Sequence, residues 1–191
     1  MIGQTATHTT LLTRLADAGD AMAWRDFLAR YGDLIRGFCQ RRGLQAADCE
    51  DVQQEVLLSL TKSMGQFRYD PAKGLFRSYL KTVVMNAISR RLCQNPAHAG
   101  LSQASAVGDS AGEEHWEQEW RQHHFRQAMR VIESEFSESD RRAFAMYAVE
   151  GRGVPETARE LGISPDAVYQ AKSRVLRRLG QLIEGQVAEE G

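Results

Sequence analysis

The stretch Val154-Pro155-Glu156-Thr157-Ala158-Arg159-Glu160-Leu161-Gly162-Ile163-Ser164-Pro165-Asp166-Ala167-Val168 reads as a helix, a tight turn and a second helix that continues through Leu179. Ala158 is small where two helices must cross closely, and Gly162 is free to take the left-handed conformation that ends the first of them. Ser164 is placed to cap the next helix, with Pro165 at its first position, where a missing N–H costs nothing. Leu161, Ile163 and Val168 supply an apolar wedge, and the whole has the spacing of a helix-turn-helix. Thr157 departs mildly from the pattern, since an apolar residue would serve better there. An ordinary helical hairpin is the plainer alternative for this segment alone.

The continuation favours the first alternative. Lys172, Arg174, Arg177 and Arg178 load the second helix with charge, while Ala171, Val175, Leu176 and Leu179 keep an apolar stripe. Residues 164–179 carry four cations against Asp166 alone, a local net of +3 in a chain whose 24 Lys and Arg stand against 25 Asp and Glu. A basic second helix in this motif suits DNA better than a solvated face does. By helical projection Asp166, Gln170, Ser173, Arg174 and Arg177 face away from the apolar stripe. Arg and Gln are suited to base edges, and the remaining cations to phosphates.

Composition limits the other possibilities. With 191 residues, 42% of them hydrophobic and 26% charged, the chain is long enough for one or two small cores. No apolar run approaches the roughly 20 residues needed to cross a bilayer, so membrane insertion is not expected. The N-terminus lacks a cationic segment followed by an apolar core, so a cytoplasmic protein is expected. Three widely spaced cysteines, Cys39, Cys49 and Cys93, do not make a disulfide framework, and no pair has CxxC spacing. Adjacent His123 and His124 would point to different sides of a helix, which argues against a metal site. No metal, cofactor or catalytic residue is expected.

Helical periodicity recurs along the chain and strand alternation does not, so an all-α fold is expected. Residues 94–113 are rich in Gly, Ser and Ala and hold Asn95-Pro96, which is a linker composition. They separate two small helical domains, 9–93 and 114–187, the second containing the helix-turn-helix. In the first domain a short helix is expected over Thr10–Ala16. Asp20 then caps a helix that Gly43 stops, a second helix runs from Ala46 or Asp48 to Lys62, and a third from about Leu75 to Leu92. In the second domain, 116–136 and 139–150 read as two helices in front of the helix-turn-helix.

Charge divides the first domain. Residues 44–60 carry Asp48, Glu50, Asp51 and Glu55 and no cation, whereas residues 68–91 carry six cations against Asp70 alone. The early acids suit a helix N-terminus. Asp48, Asp51 and Glu55 also share one face, which suits docking to a partner. The basic run is interleaved with Phe67, Tyr69, Phe76 and Tyr79, a combination that fits single-stranded nucleic acid: cations follow phosphates while rings stack on unpaired bases. Phe67, Phe76 and Tyr79 fit equally a core that closes the domain.

Asp48-Cys49-Glu50-Asp51-Val52-Gln53-Gln54-Glu55-Val56, then Phe67-Arg68, then Phe76-Arg77-Ser78-Tyr79-Leu80 leading to Asn86, followed by a linker and a basic helix-turn-helix, resemble bacterial RNA polymerase sigma factors of the sigma-70 family, two-domain extracytoplasmic-function (ECF) type. The resemblance spans roughly residues 10–185. It implies a transcription initiation factor that binds core RNA polymerase and directs it to promoters. The helix with Asp48, Asp51, Gln54 and Glu55 would dock on the clamp helices of the β′ subunit, and the β subunit would be a further contact. Arg68, Tyr69, Lys73, Arg77, Tyr79, Lys81, Asn86 and Arg90 would capture and open minus-10 DNA as single strands. Asp166, Gln170, Ser173, Arg174 and Arg177 would bind minus-35 duplex, and an anti-sigma factor is a partner the resemblance also implies. Two departures stand out: Tyr79 where many relatives have Trp, and Tyr169-Gln170 where many place a basic residue. The competing class is a stand-alone helix-turn-helix regulator whose N-terminal domain senses a ligand or dimerises; an all-α enzyme lacks any recognisable reaction constellation.

Overall fold

A computed structural model describes residues 8–65, 76–94 and 110–190. Every regular element among them is helical: α1 (His8–Arg14), α2 (Ala21–Arg41), α3 (Ala46–Met64), α4 (Phe76–Gln94), α5 (Ser110–Glu135), α6 (Glu138–Phe144), a π-helical turn (Ala145–Val149), α7 (Val154–Leu161) and α8 (Pro165–Glu190). The expected all-α class and the expected helices are present. The loop with Phe67, Arg68, Tyr69 and Lys73, and linker residues 95–109, lie outside the described residues.

Local chemistry explains the boundaries. The Asp20 carboxylate accepts the Ala23 N–H at 2.9 Å, capping α2, and accepts Arg14 Nε and Nη2 at 2.9 and 3.0 Å. Those hydrogen bonds, from Arg14 above all, hold its carboxyl below the usual carboxylate range. Gly43, at φ 85°, lets the chain leave α2 in a conformation that Cβ-bearing residues avoid. α5 starts at Ser110, six residues ahead of the helix expected from 116. The Ser137 hydroxyl accepts the Asp140 N–H and caps α6.

The chain divides into two compact units, Met1–His123 with Ala188–Gly191, and His124–Val187. Residues 110–123 of α5 therefore belong with the first unit, although 114 is where the second domain was expected to start. In the first unit α2, α3 and α4 bury their apolar stripes on one another. Phe27 and Tyr31 of α2 meet Phe76 of α4 at ring separations of 6.5 and 5.6 Å, so Phe76 is a core residue. Trp116 of α5 stands edge-on to Phe38 of α2 at 5.1 Å. His123 stacks on Tyr31 in the same core.

The second unit has two small apolar clusters. Ala128 and Ile132 of α5 pack with Phe144, Val175 and Leu179. Val154, Ala158 and Val168 form the other, which joins α7 to α8 with Tyr147 and Ile163 against it. His124, in this unit, pairs through Nδ1 with Gln186 at 3.0 Å, so the two histidines do face different surroundings.

Candidate interfaces for a partner protein and nucleic acid

The acidic side of α3 is held by α4. Arg91 donates through Nε to Asp48 at 2.8 Å and makes an ion pair through Nη2 with Asp51 at 2.6 Å, and Arg90 pairs with Glu55. Asp48 is only 6% exposed, so its carboxylate joins two helices and has no surface to offer a partner. That corrects its assignment to the docking face. Burying an ion is tolerable here because a charge-assisted hydrogen bond replaces its hydration. Asp51 and Gln54 stay exposed and Glu55 half-exposed. Leu58, 58% exposed, follows Asp51 and Gln54 on the same face. The sequence held the signal, since Leu58 falls off the buried stripe of Val52, Val56 and Leu60, but a leucine in a helix reads as core by default.

On α4 the expected residues separate onto different sides. Asn86 and Arg90 lie on an exposed stripe with Ser78 and Thr82. Tyr79 is half-buried against the core, its hydroxyl 2.5 Å from Ser63 Oγ, so its ring is committed to packing and not to stacking on a base. Its inclusion among the nucleic-acid residues is thereby corrected; the core alternative holds for it as for Phe76. Arg77 and Lys81 form a separate pair, engaged by the acids of α5: Arg77 with Glu117, and Lys81 with both Glu113 oxygens at 2.6 and 2.7 Å. Arg68, Tyr69 and Lys73 lie outside the described residues.

The helix-turn-helix has the expected local geometry. Gly162 sits at φ 65° and ψ 31°, its N–H directed to the Ala158 and Arg159 carbonyls. Ser164 Oγ accepts the Ala167 N–H at 3.1 Å, capping α8. Thr157 is buried, and its hydroxyl donates to the Gly153 carbonyl at 3.0 Å, so the polar atom that looked out of place is satisfied inside its own helix. Val168, Ala171, Val175 and Leu179 are buried, and Asp166, Gln170, Ser173 and Arg177 point outward.

The flanks of that outward face are furnished differently. Arg174 donates to Asp140 at 2.6 Å, and Arg178 grips both Glu135 oxygens at 2.6 and 2.7 Å. The bidentate grip holds the Glu135 carboxyl below its ordinary range. On the other flank Tyr169 is 53% exposed. Tyr147 stands edge-on to it at 5.6 Å, and Lys172 Nζ lies 4.9 Å from the Tyr147 ring centre. Among the described residues no group of three His, Cys, Asp or Glu is arranged to hold a metal, and no helix is long and apolar enough to cross a membrane.

Family models place the same surfaces in context. The model described as Sigma-70 region 2 matches residues 27–95, and that described as Sigma-70, region 4 matches residues 134–179. The chain is similar to the ECF RNA polymerase sigma factor SigM of Mycobacterium tuberculosis, in strains Erdman and H37Rv. It is 28% identical over 174 residues, covering 88% of this chain and 83% of the relative. Among solved structures, that of CnrH in complex with the cytosolic domain of CnrY matches with 20% identity and a TM-score of 0.38, over 92% of this chain and 96% of that one.

Proposed function

The chain belongs to the RNA polymerase sigma-70 family, ECF type, and we propose from that premise how its two units divide the work of directing core polymerase to promoters. Residues 9–93 of the first unit dock on the polymerase and open minus-10 DNA, the first turns of α5, 110–123, stay with that unit, and the second unit, 124–187, carries minus-35 recognition. Docking is assigned to Asp51, Gln54 and Glu55 on α3, with Leu58 as an apolar contact beside them. A few exposed charges around an apolar centre give a partner both register and buried area.

Strand capture is assigned to Arg68, Tyr69 and Lys73, together with Arg77, Lys81, Asn86 and Arg90 of α4. Extruding a base from the stack costs a few kcal/mol, and stacking on an aromatic ring returns roughly 1–3 kcal/mol, so Tyr69 is the residue most able to offset opening. Minus-35 duplex is assigned to Asp166, Gln170, Ser173 and Arg177, with Arg174 at the edge. α8 enters the major groove, where Gln and Arg discriminate base edges. The work takes place beside the polymerase in the cytoplasm and calls on no catalytic residue of this chain; an anti-sigma protein is a fitting regulator.

The observation that carries this assignment is the capped, left-handed turn at Gly162–Ser164 feeding a helix whose outward side is polar and cationic. It is tested by reconstituting core polymerase with the protein and transcribing a promoter library. Promoter-specific transcripts that depend on the protein are expected. Specific binding of a palindromic site by the protein alone, with no transcripts from the reconstituted enzyme, would overturn it.

A further inference from the structure

Two acids one helical turn apart meet two cations one turn apart. Glu113 of α5 faces Lys81 of α4, with Nζ 2.6 and 2.7 Å from its two oxygens, and Glu117 faces Arg77. The pairing runs antiparallel and uses the positions that lie on one helix face. Arg77 also lies over the Trp120 ring, 5.2 Å from its centre. Two rings and a buried acid seat this part of α5: Trp116 edge-on to Phe38, Trp120 near Tyr31, and Glu119 donated to by Arg41 Nε at 2.8 Å. Glu119 fits because Gly37 has no side chain; a Cβ there would stand 2.3 Å from its Oε1. The α5 residues of this seat fall between the two family matches, 27–95 and 134–179.

We propose that residues 111–123 form an acidic strap whose Glu113 and Glu117 carboxylates occupy the phosphate positions of the nucleic-acid face of α4, so that strap docking and capture of single-stranded DNA by Arg77 and Lys81 exclude each other. It rests on α4 being a nucleic-acid helix, as assigned above. Carboxylate and phosphate oxygens accept the same N–H donors with the same charge, so one occupant blocks the other. A tethered competitor acts at high effective concentration and lowers the apparent affinity of the free protein for DNA. Trp116 and Trp120 hold the strap in place, but the Trp116 indole N–H is buried without an acceptor, and Glu113 and Glu117 pair at the surface, where salt weakens them.

The test uses the full chain and a labelled single-stranded oligonucleotide at low ionic strength, read by fluorescence anisotropy. E113Q/E117Q removes both charges and keeps their shape; affinity is expected to rise about tenfold or more, the scale of a displaced tethered competitor. Adding R77A/K81A to that background should abolish the gain. In the wild type, oligonucleotide should shift tryptophan emission to the red as Trp116 and Trp120 leave the core. The single change E113Q, at an exposed carboxylate, is expected to give part of the gain, and it decides the matter should the double variant unfold. Unchanged affinity in E113Q, with R77A/K81A still weakening the wild type, would overturn the strap and leave α4 as a nucleic-acid surface. No effect of R77A/K81A in either background would overturn the assignment of α4, and the strap with it.

Discussion

Gly162 and Asp48 illustrate how one atom or one charge fixes a local outcome. At Gly162 an added Cβ would meet nothing within 4 Å, so the only cost of Gly162→Ala is its φ of 65°. A loss of about 1–2 kcal/mol in urea unfolding is expected, the cost of an L-residue in the left-handed region. An unchanged midpoint would mean the turn relaxes. Asp48 and Asp51 are three residues apart and share Arg91, yet their variants should separate. Asp48→Ala removes a buried charge-assisted hydrogen bond and should destabilise the protein by about 1–3 kcal/mol in thermal melts. Asp51→Arg should leave the protein folded while weakening pull-down by core polymerase; undiminished capture would take that face out of docking. Of these two roles, the sequence displayed only the shared helix face. Burial of Asp48 depends on Arg91, 43 residues away, and no local pattern specifies such a pair.

At the level of elements, the helices followed from periodicity and caps, because amphipathic spacing, Asp20, Gly43 and Gly162 act within a few residues of where they stand. What each helix face meets did not follow. Arg77, Lys81, Asn86 and Arg90 looked like one basic surface on α4, but an added helix covers the first two and leaves Asn86 and Arg90 outside. On α8, Arg174 has Nη2 engaged and its charge partly met by Asp140, whereas Arg177 points outward. In a salt titration against minus-35 duplex, Arg177→Ala should therefore cost about 1–3 kcal/mol, with Arg174→Ala costing less. Equal losses would show that the Asp140 pair has no bearing on binding. Acid should also loosen α5. Hydrogen bonding from Arg77 holds the Glu117 carboxyl below its ordinary 4.5, so that pair contributes fully above about that pH. Its contribution is lost as pH falls through the lower folded value. Tryptophan emission should shift to the red in that acid range at low salt and do so less in Glu117→Gln.

For the molecule as a whole, charge balance matters more than any single pair. A chain with 24 cations and 25 acids gains little from counterion release, so the free protein should bind random duplex weakly even at low salt. Holoenzyme should bind promoter DNA tightly. Anisotropy with labelled random and promoter duplexes checks both, and tight random-duplex binding by the free chain would contradict the balance. The sequence by itself determined the all-α class and the helix-turn-helix with its capped turn, because caps, turns and apolar spacing are short-range and act through neighbouring residues; the polymerase-directing role entered through the family resemblance of its ordered motifs. Tertiary structure alone decided that Asp48 is internal, that Tyr79 closes a core, and that the first turns of α5 lie on Arg77 and Lys81. Those outcomes depend on which distant helices bury each other's surfaces, and burial is a property of the packed chain that no local stretch encodes.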